Sequence, residues 1–99
     1  IIQGCGLSND ENELNEDTVL VYPNPAIDKC KIEFSCNSEH ITIDLIDSQG
    51  RFIRNFCNKN LTQGHHSITC DLNEISSGLY IVQIKSEQKQ YSTSLKIGN

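Results

Sequence analysis

Between Ile27 and Ile97, apolar side chains fall at every second position in one short run after another. A period of two places them on one face of an extended strand and leaves the other face polar. Cys30, Ile32, Phe34 and Cys36 alternate with Lys31, Glu33 and Ser35, and Ile41, Ile43 and Leu45 with Thr42 and Asp44. Ile68, Cys70 and Leu72 oppose Thr69 and Asp71, while Tyr80, Val82 and Ile84 oppose Gln83 and Lys85. The last run sets Tyr91, Thr93, Leu95 and Ile97 against Ser92, Ser94 and Lys96. Strands with one wet face belong to antiparallel sheets, and a sheet with one apolar face buries it against a second layer. The pattern predicts an all-β, seven-stranded antiparallel immunoglobulin-like β-sandwich. Its strands are expected at Thr18–Tyr22, Ile27–Cys36, His40–Ile46, Arg51–Cys57, His66–Leu72, Leu79–Ser86 and Gln90–Ile97. No stretch carries a 3.6-residue period, and no internal repeat is visible.

The turns between these runs are marked. Asp47-Ser48-Gln49-Gly50 has Asp first and Gly last, as a type I turn with a left-handed exit prefers. A polar loop is expected at Asn58–Gly64 and a turn at Asn73–Gly78, so that Gly50, Gly64 and Gly78 each precede a strand. Near the start stands Tyr22-Pro23-Asn24-Pro25-Ala26. Its two prolines fix φ and remove two backbone donors, and each pushes the residue before it towards extended geometry. The result is a stiff corner that cannot lie inside a sheet ladder, suited to carrying the chain from an edge strand into the next.

Charge divides the chain at the same place. Asp10, Glu11, Glu13, Glu16 and Asp17 stand in a segment without Lys or Arg, whereas acids and bases balance from Thr18 onward. The net charge of −5 therefore belongs to residues 1–17, read as an acidic linker or the tail of an upstream cargo, and residues 18–99 form the domain. A neutral domain argues against nucleic acid or an anionic membrane as partner. The chain starts at Ile1 rather than Met, as expected of a piece of a longer polypeptide.

Chemistry has little foothold. No Gly-rich phosphate loop, G-x-S-x-G or H-E-x-x-H occurs, and Asp44 and Asp47 fall on a wet face and a turn, so no catalytic residue and no small-molecule substrate is expected. His40, His65 and His66 lack zinc-ligand spacing, and the adjacent His65 and His66 would point to opposite faces of a strand; they read as solvated turn and edge residues, and neither metal nor cofactor is expected. Asn60-Leu61-Thr62 fits a glycosylation sequon and reads as a chance match. There are five cysteines, an odd number. Cys30 and Cys36, about 20 Å apart along one strand, cannot pair with each other. Cys30 and Cys70 come within disulfide reach if the second and fifth strands are neighbours; the alternative is that both are small buried apolar residues. Cys5 lies in the linker.

Taken in order, Val21-Tyr22-Pro23-Asn24-Pro25-Ala26, Ile32 with Phe34, and Ile43, Leu45, Asp47 and Gly50 resemble a known family. So do Gly64, His66, Ile68, Asp71-Leu72, Gly78-Leu79-Tyr80-Ile81-Val82, Ile84, Tyr91, Leu95, Lys96 and Ile97. Over residues 19–97 the chain resembles the type A C-terminal sorting domain of type IX (Por) secretion substrates in Bacteroidota. The resemblance implies a non-catalytic address label on an exported cargo. An outer-membrane translocon reads it after the cargo folds in the periplasm, and a sortase-like cysteine protease removes it at the cell surface. The cut is then expected in the acidic segment, and the product is anchored at the surface or released. By resemblance the recognition motif comprises Tyr22, Pro23, Asn24, Pro25, Gly50, Gly78, Tyr80, Leu95, Lys96 and Ile97. The Pro23–Pro25 corner and the edge of Gln90–Ile97 are expected to border the docking surface. Asp17-Thr18-Val19 also resembles the O-glycosylation triplet of that phylum. Two features depart from the family: Gly98-Asn99 ends the chain where members often carry a basic tail, and cysteines are more numerous. The competing reading is a retained adhesion or carbohydrate-binding sandwich. It calls for aromatics exposed on one sheet face, whereas the chain has no Trp and most of its six aromatics fall in core-like alternation.

Overall fold

In a computed structural model that describes residues 19–98, the alternating runs become seven strands. They are β1 (Leu20–Tyr22), β2 (Lys29–Cys36), β3 (Glu39–Asp47), β4 (Phe52–Leu61), β5 (Gly64–Asp71), β6 (Gly78–Lys85) and β7 (Gln90–Ile97). Sheet one has the order β1-β2-β5 and sheet two the order β4-β3-β6-β7, every pair antiparallel. The fourth strand lies beside the third. In constant-type immunoglobulin domains it joins the other sheet. The expected linker, its cut site, Cys5 and the Asp17-Thr18 pair lie outside the described residues.

The inward positions pack as the period of two requires. Ile32 and Phe34 from sheet one meet Ile41, Ile43, Leu45, Val82, Ile84 and Leu95 from sheet two, all fully buried. Each of these side chains removed from water contributes roughly 1.5–3 kcal/mol.

Only β7 keeps both of its expected bounds, and three of the shifts have a clear structural reason. β2 begins at Lys29, because Ile27 is exposed and the chain before it is engaged with the other sheet. β4 runs on through Asn58, Lys59 and Asn60, which the polar composition had marked as a loop. It is an edge strand paired on one side, so those residues need no apolar partner and stay exposed. β5 accordingly starts at Gly64. The β3–β4 register also slips twice, leaving Phe56 and Ile53 as extra residues on β4. Each bulge shifts the inward face by one residue, which is why the alternation of β4 is broken.

The turns carry their own supports. In the β3–β4 hairpin the Gly50 amide donates to the Asp47 carbonyl at 2.9 Å, and Gly50 has φ of 86°. The Asp47 carboxylate accepts from the Gln49 and Arg51 amides, both at 2.9 Å, and from Arg51 Nε at 2.8 Å. At the entry to β6, Tyr80 buries its ring and donates its hydroxyl to the Ser76 carbonyl at 2.6 Å. That is the tyrosine corner of immunoglobulin-like sandwiches, set at the start of the sixth strand. At the chain end Gly98 has φ of 90°, and a Cβ there would stand 2.4 Å from Ser77 Cβ.

Two predictions follow from these turns. Gly50→Ala meets open space and should cost only the left-handed penalty, about 1–2 kcal/mol. Gly98→Ala adds overpacking of about 1–3 kcal/mol, so urea denaturation should rank it clearly the less stable. The Arg51 amide above all, then the Gln49 amide and the Arg51 guanidinium, hold the Asp47 carboxyl below its ordinary value. A carboxyl with a depressed folded pKa adds stability above its unfolded pKa and loses it as pH falls through the folded value. Asp47→Asn should therefore melt below the parent at neutral pH. Their gap should shrink steadily once the pH drops below about 3.8; a gap independent of pH would contradict this.

Candidate functional site

The proline corner leaves sheet one at Tyr22 and crosses to the outer edge of β7, the last strand of sheet two. Both of its X-Pro bonds are cis. Asn24 there takes the place of a peptide group. Its Oδ1 accepts from the Lys96 amide at 3.0 Å, and its Nδ2 donates to the Ser94 carbonyl at 3.2 Å. Ala26 continues the same ladder in main chain. Its amide donates to the Lys96 carbonyl at 2.8 Å, and its carbonyl accepts from the Gly98 amide at 2.6 Å. Four hydrogen bonds thus clasp residues 94–98 to the corner, in a parallel bridge between Ala26 and Ile97. The small side chain of Ala26 is wholly buried between the sheets. Prolines suit this corner because a segment held by one side chain and one alanine has no use for their missing amides.

Register gathers other surface residues at this pole. Ser94 faces Ile81, Ile81 faces Ile46 and Ile46 faces Phe52 across the four strands of sheet two. Two residues nearer the pole Leu79 faces Lys96. On the outer face Phe52 is 63% and Leu79 58% exposed, with Ile46 and Ile81 half-buried between them. The result is an apolar row across the sheet, beside the Gly50 turn and the start of β6 at Gly78.

The ten residues of the expected recognition motif divide by burial. Tyr22, Pro23, Asn24, Pro25, Gly50, Gly78 and Lys96 are exposed around this pole. Tyr80, Leu95 and Ile97 are buried, so in the folded domain they shape the surface from beneath. The expected docking edge is narrower than the whole of Gln90–Ile97, because the corner already occupies it from Ser94 onward. Gly98, Leu79 and Phe52 are not among the expected motif residues. Gly98 reads locally as a tail residue, and the two apolar side chains are notable only once the register shows that they share the outer face.

Elsewhere on the surface several polar groups satisfy one another. The Tyr22 hydroxyl donates to Glu33, raising the phenol pKa and lowering the carboxyl pKa, and His65 Nε2 lies 3.4 Å from Glu33. His40 sits between the Asn58 and Asn60 side-chain oxygens at 2.6 and 3.0 Å, and His66 contacts the Thr62 carbonyl at 2.7 Å. Among the described residues no group of three His, Cys, Asp or Glu could hold a metal ion. The exposed aromatics Tyr22 and Phe52 lie on different sheets, which makes no common platform for a sugar. β2 and β5 are neighbours, and their register sets Cys30 directly opposite Cys70. Both are buried free thiols. Their mutual hydrogen bond holds Cys30 below and Cys70 above the ordinary value.

Asn24→Ala removes two hydrogen bonds of the clasp at an exposed site. It should cost about 1–2 kcal/mol, read as a lower denaturation midpoint with an unchanged slope.

Comparison with known proteins agrees with this architecture. No curated protein sequence matches the chain. A solved structure of PorZ from Porphyromonas gingivalis, described as an essential bacterial surface component of the type IX secretion system, is similar in fold, with a TM-score of 0.61 and 18% identity. The match covers 84% of this chain and only 12% of PorZ, so the chain corresponds to a small part of that protein's length. The family model for the secretion system C-terminal sorting domain matches residues 20–97, from the first residue of β1 to the last of β7. The chain belongs to the secretion system C-terminal sorting domain family.

Proposed function

We propose that this domain is the non-catalytic address label of a type IX secretion substrate, carried behind a cargo through the outer membrane. Its partners are the translocon, a sortase-like cysteine protease that cuts in the acidic segment before Thr18, and the cargo itself. The observation that carries this reading is the clasp. Asn24 and Lys96, at opposite ends of the family match, are hydrogen-bonded to each other, so the two ends of the signal make one surface. The translocon is taken to read that pole: the corner, the Gly50 turn, Gly78, Lys96 and the apolar row from Leu79 to Phe52. Fold similarity to a surface component of the type IX system supports the assignment. A folded domain on an acidic tether can be handled apart from its cargo, and a cut in the tether leaves both parts intact.

The test is a fusion of residues 1–99 behind a periplasm-directed fluorescent protein in a bacterium with a type IX system. The reporter should reach the surface or medium lacking about the mass of the domain. Deleting Gln90–Asn99 should leave it in the periplasm. An uncleaved periplasmic reporter, in a host that exports a native sorting domain, would overturn the proposal.

A further inference from the structure

The two sheets expose four edge strands, and three of them are blunted. β1 is three residues long and is followed at once by Pro23. β4 carries two bulges and the charged residues Arg54 and Lys59. β5 has Arg54 Nη1 donating to its Asp71 carbonyl at 2.8 Å and carries His65, His66 and Asp71 along its length. Short length, bulges, charge and cover are the means by which sheets avoid adding strands.

β7 is protected over only half its length. The amide and carbonyl of Lys96 point outward into the clasp. Alternate residues of an edge strand point the same way, so the amides and carbonyls of Gln90, Ser92 and Ser94 also point outward. The clasp takes the Ser94 carbonyl and goes no further. From Gln90 to Ser94 the strand keeps unbroken register with β6 and contains no charge, proline or glycine.

We infer that the outer edge of Gln90–Ser94 accepts a strand from the secretion machinery: an extended, uncharged peptide segment of about four to six residues. This rests on the sorting reading above. Its main chain pairs with the outward amides and carbonyls of Gln90 and Ser92 and with the Ser94 amide, the Ser94 carbonyl being held by Asn24. Its side chains alternate, apolar ones covering the half-buried Tyr91 and Thr93 and small polar ones lying beside Ser92 and Ser94. The Asn24 corner stops it at Ser94 and so sets its register. A second copy of this domain fits worse. Antiparallel self-pairing centred on Ser92 would bring the β6–β7 turn of each copy onto the corner of the other, leaving five residues a side. So short a contact falls well below the ~1,200 Å² of a stable interface.

The test uses the reporter fusion in the same host. Ser92→Pro removes an outward donor and leaves the ladder to β6 whole, whereas Ser92→Ala removes nothing from the edge. With both variants melting near the parent, Ser92→Ala should export normally. Ser92→Pro should export about tenfold less, the worth of one lost main-chain bond, with full-length precursor in the periplasm. A photo-reactive benzoylphenylalanine at position 92 should give an adduct with a component of the machinery, and one at Thr69 on the outer face of sheet one should not; this arm decides alone if Ser92→Pro does not fold. Parental export by folded Ser92→Pro, no adduct at position 92, or an adduct that is a dimer of the fusion would each overturn the inference. Failure of the parent itself to leave the periplasm would overturn the sorting reading, and the edge with it.

Discussion

The clasp between the proline corner and β7 is the contact on which the rest of the arrangement depends. A two-sheet sandwich has two open flanks, and something must hold the sheets in register along each. On one flank Arg54 of β4 reaches the carbonyl of Asp71 at the end of β5. On the other, the chain itself crosses from β1 to β7, and the Asn24 carboxamide stands in for a peptide group until Ala26 resumes the ladder. The requirement for glycine at position 98 follows from this. With its amide given to Ala26, the residue lies against Ser77 in a left-handed conformation, and there is no room for a Cβ.

The clasp also bears on function. Recognition of a sorting domain as a folded unit requires that residues far apart in sequence present one surface. Here Asn24, Lys96 and Leu79 come together through one side-chain bridge and one sheet register. Tyr80, Leu95 and Ile97, the buried members of the expected motif, lie beneath that surface. The same clasp divides the edge of β7 into a closed half and an open half, so on the proposed reading a single device supplies stability and limits where a partner strand can pair.

The sandwich was legible because its signal is local. A period of two needs only neighbouring residues, and it placed Ile32, Phe34, Ile41, Ile43, Leu45, Val82, Ile84 and Leu95 inside, where they are found. The extent of β4 was not legible. Asn58, Lys59 and Asn60 look like a loop in isolation, and nothing local shows that they lie at an edge where polar residues cost nothing. Bulges at Phe56 and Ile53 further hide the period. The corner was recognised from its prolines, but not its contact, for the partners of Asn24 lie 70 and 72 residues away. Leu79 and Phe52 share a face only through Ile46 and Ile81 on the strands between them, a fact of register that no stretch of sequence contains.

The most direct test is amide hydrogen exchange of the folded domain by NMR. Edge amides that face water exchange quickly, and those held in a ladder are protected. The Lys96 and Gly98 amides point away from β6, yet should be protected by Asn24 and Ala26. The Ser92 amide, on the same side of the same strand, should exchange as fast as a loop amide, while its inward neighbour Thr93 is protected. Fast exchange at Lys96 and Gly98 alike would contradict the clasp, and protection at Ser92 in the isolated domain would contradict the open edge.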